Sequence, residues 1–153
     1  MGVLVHAHIA LAVAAIPLAV IDLREHRLPD RFTLPLWGLS AVAALSQWGV
    51  AGAQERVLDA VMASALMISL LWCAAEAPGR PLGFGDVNLG GAISLQLGWY
   101  GIEWALWGLA LAVFFGGIWA LWSMSRGHIG PRDSIPFGPW MLIGAIVVLL
   151  RVA

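Results

Sequence analysis

Long apolar stretches separated by short polar segments form the dominant pattern of this chain. Six stretches can be distinguished, and they cover residues 3–21, 34–52, 57–77, 89–101, 103–122 and 137–152. They are continuous rather than alternating, which favours helices over the strands of a membrane barrel. Because lipid offers no hydrogen-bonding partner to a bare backbone, each stretch is predicted to be a transmembrane helix.

The composition supports a membrane location. Of the 153 residues, 61% are hydrophobic and 11% are charged, whereas about 25% of the residues in a soluble domain are charged. The sequence therefore predicts an all-α, polytopic membrane protein with about six transmembrane helices, forming a single transmembrane domain over residues 1–153. A cleaved signal peptide is disfavoured for the first stretch, because no basic segment precedes it and no cleavage motif follows.

The fourth stretch differs from the others. It is short and contains polar residues and several glycines. Small residues permit a close approach between helix backbones within a membrane. This stretch is therefore expected to lie against other helices rather than against lipid.

All eight basic residues are arginines, and their positions predict the orientation of the chain. Six follow the first, third and fifth stretches, namely Arg24, Arg27, Arg31, Arg80, Arg126 and Arg132, whereas Arg56 and Arg151 lie on the opposite side. By the positive-inside rule, the side with six arginines is cytoplasmic. The sequence thus predicts a multi-pass protein of the inner (cytoplasmic) membrane.

Two acids, Asp22 and Asp86, are predicted to lie at the cytoplasmic boundary. Asp22 ends the first stretch and Asp86 precedes the fourth, so two complete crossings separate them and return the chain to the same side. An acid at membrane depth is energetically unfavourable and usually has a function. In "GFGD", Gly83 and Gly85 are expected to permit a positive φ and the close approach of another segment. Two acids beside such a turn suggest activation of a water molecule for peptide-bond hydrolysis.

Two alternatives remain for these acids. A transporter or channel could use Asp22 and Asp86 as ion or proton sites, but both acids lie at one boundary and no inverted repeat is evident. The acids could also act only as helix caps. No metal or other cofactor is expected, because the chain has no HExxH motif and one cysteine, Cys73. No GxGxxG motif is present, and no nucleic-acid partner is expected.

With these residues in place, the chain resembles the type IV prepilin peptidases and the archaeal preflagellin peptidases, which are membrane aspartic proteases with a GxGD motif. "IDLREHRLPD" carries Asp22, "GFGDVNL" carries Asp86, and "IPFGPWMLIGA", residues 135–145, is similar to the carboxy-terminal segment of the family. The resemblance implies that Asp22 and Asp86 are the catalytic acids. It also implies a set of substrate-binding or loop residues, which are Gly83, Gly85, Asn88, Pro136 and Gly138.

The resemblance implies an aspartic endopeptidase that cleaves the short leader of a prepilin or pilin-like precursor at the cytoplasmic face of the membrane. The resemblance also implies that an apolar helix follows the cleaved bond of the precursor and enters the bilayer. The precursor and membrane lipid are then the expected partners. Family members commonly have a lysine where this chain has Asn88. The peptidase-only form is expected, without an N-methyltransferase region, because the chain starts at its first helix. The dipole of the fourth helix favours charge on Asp86, so Asp86 is predicted to be the base and Asp22 the protonated acid.

Overall fold

The computed structural model describes residues 2–25, 28–77, 82–127 and 136–152, and within these ranges no strand occurs. The helices are α1 (Gly2–Glu25), α2 (Asp30–Leu45), α3 (Gln54–Ala75), α4 (Phe84–Leu97), α5 (Ile102–Ser125) and α6 (Gly138–Val152), with one turn of 3₁₀ helix, Gly98–Tyr100, after α4. The all-α prediction is confirmed for the described residues. Arg27, Arg80 and Arg132, which contribute to the predicted orientation, lie outside them.

Two described helices, α3 and α5, are long and apolar enough to cross a membrane, and Leu11–Leu23 and Gly138–Val152 are shorter apolar segments. Large apolar side chains point outwards from the bundle. Ile16 is 74% exposed, Leu121 is 71% exposed and Leu150 is 82% exposed. A surface with so many exposed apolar side chains is suited to lipid rather than to water.

Two helices, α2 and α4, begin four and five residues earlier than the apolar pattern predicts. α2 begins at Asp30, directly after Pro29, whose extended backbone precedes the first turn. α4 begins at Phe84, because Gly83 is extended and its N–H donates to the side chain of Asp86 three residues later. This contact satisfies one of the N–H groups that lack a partner at a helix start. Asp86 consequently lies in the first turn of α4 rather than in a preceding loop.

The central helix of the bundle is α4. It packs mainly against α2 and α3 and also contacts α1, α5 and α6. From Gly85 to Leu97, every residue except Asn88 is buried. A Cβ atom at Gly91 would lie 2.8 Å from Trp37 Nε1 and 2.9 Å from the side chain of Ile68. The prediction that the fourth stretch lies against other helices is therefore confirmed.

Buried hydroxyls join α4 to its neighbours. Ser64 Oγ of α3 donates to the carbonyl oxygen of Gly91 over 3.0 Å and accepts a hydrogen bond from Trp37 Nε1 over 3.3 Å. Gln96 Nε2 donates to Ser40 Oγ of α2 over 2.9 Å. Such bonds between helices hold polar side chains in an apolar interior. They attach the central helix to both α2 and α3.

Several helix ends meet at one end of the bundle, which is called the acid end here. It contains the last turns of α1, α3 and α5 and the first turns of α2, α4 and α6. The ring of Trp72 on α3 lies 5.2 Å from that of Phe84 on α4, and the ring of Trp119 on α5 lies 5.9 Å from that of Trp140 on α6. Asp22 and Asp86 both lie at this end.

Candidate active site

Asp22 is held by the first residue of α6. Its side chain is 2% exposed, and its Oδ2 atom accepts the N–H of Gly138 over 2.9 Å. The free N–H groups and the positive dipole at a helix start favour a carboxylate at this position. A Cβ atom at Gly138 would lie 2.8 Å from Asp22 Oδ2, so the close contact requires glycine. Gly138 therefore positions Asp22 through its backbone.

Asp86 is held by its own helix start. Its side chain is 8% exposed, and its Oδ2 atom accepts the N–H of Gly83 over 3.2 Å. Its Oδ1 atom is buried and has no hydrogen-bond partner among the described residues. A buried polar atom without a partner is unfavourable in a purely structural position. This oxygen is therefore available to a substrate or a water molecule.

Leu28 connects the helix starts that hold the two acids. A Cβ atom at Gly85 would overlap the carbonyl oxygen of Leu28 and lie 2.6 Å from its Cβ atom. A Cβ atom at Gly138 would lie 2.9 Å from Leu28 Cδ1. Leu28 is thus packed against the first turns of both α4 and α6, and it is itself buried. Only glycine at position 85 permits this approach.

The carboxyl groups of Asp22 and Asp86 lie within range of electrostatic interaction. Asp86 precedes the stretch 89–101 that is predicted to lie in the membrane. The pKa of Asp86 is raised to about 7, mainly by burial and further by the negative charge of Asp22, whereas the hydrogen bond from Gly83 acts in the opposite direction. Neighbouring carboxyl groups titrate as a pair, in which one of them keeps its proton.

The prediction that Asp86 is the base is opposed by these contacts. The sequence argument relied on the dipole of α4, but desolvation of the buried carboxyl has the larger effect on its pKa. Asp22 accepts the N–H of Gly138, and an ionised carboxylate is the stronger acceptor of such a bond. Burial therefore favours the protonated form of Asp86.

The predicted conformations of Gly83 and Gly85 are only partly correct. Gly83 has a φ of −86° and precedes α4, while Gly85 lies within its first turn. The glycines with positive φ among the described residues are Gly52, Gly101 and Gly127. Neither glycine of "GFGD" uses the positive φ that glycine permits, whereas the expected close approach of another segment is confirmed at Gly85.

The remaining candidate residues lie at the same end of the bundle. Asn88 Nδ2 donates to Asp30 Oδ1 over 3.2 Å and so links the first turns of α4 and α2. Pro136 is buried just before α6. Sequence reasoning missed the roles of Leu28 and Asp30, although both belong to the "LPD" segment that follows Asp22. No group of three or more metal-ligating side chains occurs in the part of the chain that the structure describes.

Comparison with known sequences identifies the family. The sequence model of the type IV leader peptidase family matches residues 9–121, a range that includes both Asp22 and Asp86. This chain belongs to the type IV leader peptidase family. The resemblance inferred from the two acid motifs is thereby confirmed.

Curated relatives of this chain are similar over most of its length. It is 30% identical over 141 residues to the prepilin leader peptidase/N-methyltransferase of Burkholderia pseudomallei (strain 1026b), covering 91% of this chain and 44% of that protein. It is 32% identical over 137 residues to the protein of that name from Aeromonas hydrophila, covering 88% and 46%. For Escherichia coli (strain K12) the identity is 33% over 140 residues, covering 86% and 57%. The chain spans about half the length of these relatives. No solved structure matches it.

Proposed function

We propose that this protein is a membrane-embedded aspartic endopeptidase that removes the short leader peptide from type IV prepilin-like precursors. The observation that carries the proposal is the pair of buried, electrostatically coupled carboxyl groups of Asp22 and Asp86, contributed by α1 and α4. Membership of the type IV leader peptidase family and the names of the relatives support the substrate class.

The proposed topology has six membrane spans in a single domain, with the acid end facing the cytoplasm. The positive-inside rule supports this orientation, because three described arginines, Arg24, Arg31 and Arg126, lie at the acid end and two, Arg56 and Arg151, at the opposite end. At the acid end, the guanidinium groups of Arg31 and Arg126 lie 5.1 Å from the rings of Phe32 and Trp122, respectively. Such contacts between arginines and aromatic rings are suited to the boundary of a membrane. Lipid is then the second partner of the protein, beside its precursor substrate.

The proposed reaction uses the two carboxyl groups in different protonation states. Ionised Asp22 takes a proton from a water molecule as the water oxygen bonds to the carbonyl carbon of the leader peptide. Protonated Asp86 donates a hydrogen bond, and then its proton, to the carbonyl oxygen. When the tetrahedral intermediate breaks its carbon–nitrogen bond, the proton held by Asp22 passes to the leaving amine. A proton from the intermediate then restores Asp86.

The geometry supports a peptidase rather than a transporter. Asp22 and Asp86 lie together at one end of the bundle, whereas the ion sites of secondary transporters lie near the membrane midplane. The orphan Oδ1 atom of Asp86 is next to the helix start of α4, where an extended peptide can approach from the cytoplasm.

Substitution of each acid tests the proposal. Wild-type protein and the variants Asp22→Asn and Asp86→Asn are purified in detergent and mixed with a prepilin that carries its leader. Both variants are expected to lose at least about 1000-fold in cleavage rate, since a neutral amide can replace neither the base nor the proton donor. Glu76→Gln is the matched control, because Glu76 is exposed near the same end. Normal cleavage by either Asp variant would refute the proposed role of that acid.

A further inference from the structure

A groove between α1 and α2 runs from the level of Asp22 towards the middle of the bundle. It is a cavity of about 300 Å³ lined by apolar side chains of both helices. Leu18 and Leu36 are buried at its floor. Its more exposed walls include Pro17, Phe32, Pro35 and Leu39. Along α1 the lining extends over about two helical turns, or about 10 Å.

Two prolines on facing helices contribute to this groove. Pro17 lies inside α1 and Pro35 lies inside α2. A proline within a helix removes one backbone hydrogen bond, and its ring pushes against the carbonyl group four residues earlier. Because both rings line the cavity, the gap depends on the backbones of the two helices rather than on movable side chains alone.

The groove ends at the candidate active site. Ile21 lines the groove and directly precedes Asp22 in the chain. Phe32 lines the same end, where the guanidinium group of Arg31 lies 5.1 Å from its ring. A charged group above an aromatic ring marks the transition from apolar to polar surroundings. An occupant of the groove would therefore be apolar inside it and reach the acids at its polar end.

These features select the chemistry of the occupant. The anionic phosphate of a phospholipid would pair with the exposed guanidinium of Arg31 at this end and would leave the buried carboxyl groups of Asp22 and Asp86 without a ligand. A peptide bond is neutral, and its N–H and C=O groups can bind to carboxyl groups. A volume of about 300 Å³ is too small for a whole helix, because two turns of a helix about 10–12 Å wide occupy more than about 700 Å³. The groove has room for the side chains along one helix face.

We propose that this groove receives one face of the apolar helix that follows the cleaved bond of the precursor. The inference rests on the proposed peptidase function. Side chains of the precursor helix fill the space between Pro17 and Pro35, and the chain then leaves the groove at Ile21 with its scissile bond beside Asp22. The groove thus sets which peptide bond reaches the acids.

Two substrates separate this inference from the proposed function. One is the complete precursor, and the other is a short peptide that spans the cleaved bond but lacks the apolar helix. Leu39→Trp fills the groove, and Val42→Trp adds the same bulk to an exposed position of α2 outside the groove. Relative to Val42→Trp, Leu39→Trp is expected to lower kcat/KM for the complete precursor about tenfold, mainly through KM, which corresponds to about 1.4 kcal/mol. Both variants are expected to cleave the short peptide equally.

Equal kcat/KM values of the two variants on the complete precursor would overturn the inference and leave the peptidase proposal intact. Failure of the wild-type protein to cleave either substrate would instead refute the proposed function. Disulfide formation gives a second measurement that does not depend on a bulky substitution. In a Cys73→Ser, Asp22→Asn background, Leu39→Cys is expected to form a disulfide with a cysteine in the precursor helix. Val42→Cys is not expected to form this disulfide. Equal disulfide formation by Leu39→Cys and Val42→Cys would also overturn the inference.

Discussion

Replacement of Gly138 with alanine tests how closely the backbone of α6 must hold Asp22. The added Cβ atom would lie 2.8 Å from Asp22 Oδ2 and 2.9 Å from Leu28 Cδ1, whereas ordinary contacts begin at 3.4 Å. The Asp22 carboxyl group therefore has to move by about 0.6 Å. Its hydrogen bond from the Gly138 N–H, which is 2.9 Å long, has to lengthen or bend.

The expected consequence is a loss of activity without a loss of folding. Misplacement of a catalytic group by about 1 Å can reduce the rate about 100-fold, so a shift of about half that size is expected to lower kcat/KM about tenfold. Helix propensity acts in the opposite direction, since alanine favours a helix over glycine by up to about 1 kcal/mol. The midpoint of thermal unfolding is therefore expected to change by only a few degrees.

The assay measures kcat and KM for leader removal from a purified precursor, together with thermal unfolding in the same detergent. Gly117→Ala is the matched control, because a Cβ atom at this helical position of α5 meets nothing within 4 Å. The control is expected to keep wild-type kcat/KM. Equal kcat/KM values for Gly138→Ala and Gly117→Ala would refute the conclusion that Gly138 positions Asp22.

Four further outcomes are expected. The value of kcat is expected to fall as the pH rises through about 7, where Asp86 loses the proton that it donates; a pH profile with no fall between pH 6 and 8 would contradict this role. Folding raises the pKa of Asp86 from 3.8 to about 7, mainly through burial, so the free energy of unfolding should decrease as the pH rises from about 4 to about 7. Asp86→Asn should make this dependence of the unfolding free energy on pH less steep. Gly85→Ala forces a Cβ atom into the carbonyl oxygen of Leu28 and is expected to lower the free energy of unfolding by about 1–3 kcal/mol. Gly83→Ala is the control, because its Cβ atom makes only an ordinary contact, and it should lower the free energy of unfolding less in the same experiment. Asn88→Lys is expected to retain at least about half of the activity, because an ammonium group can also donate to Asp30, while Asn88→Leu loses this bond and should lower stability by about 0.5–1.5 kcal/mol.

The helical architecture was predictable because it depends on long apolar runs. A backbone in lipid must satisfy its own hydrogen bonds, so each run indicates a helix regardless of its neighbours. The helix starts were harder to predict, because they depend on local capping that extends helices into polar segments. α4 begins at Phe84 because the side chain of Asp86 accepts the N–H of Gly83. A hydropathy pattern does not contain this contact.

The two acids could be chosen from the sequence, but their environments could not. Chain parity placed Asp22 and Asp86 at one end, and the structure brings their charges within interaction range. The N–H donor of Asp22 is Gly138, which is 116 residues away along the chain. The packing of Leu28 against Gly85 likewise depends on tertiary approach. The raised pKa of Asp86 follows mainly from burial, which a motif does not specify.

The depth of Asp86 in the bundle connects its pKa with the proposed entry of the substrate. A Cβ atom at Gly90 would overlap the side chain of Leu71 and lie 3.0 Å from that of Met141, and the ring of Phe84 contacts that of Trp72. Asp86 therefore lies between two residues of α4 that contact the last turns of α3, which ends at Ala75. At this depth the carboxyl group is desolvated, which keeps its proton near neutral pH. A peptide must unwind to reach this carboxyl group. A groove that holds the precursor helix after the cleaved bond would let the residues before that helix extend towards the acids.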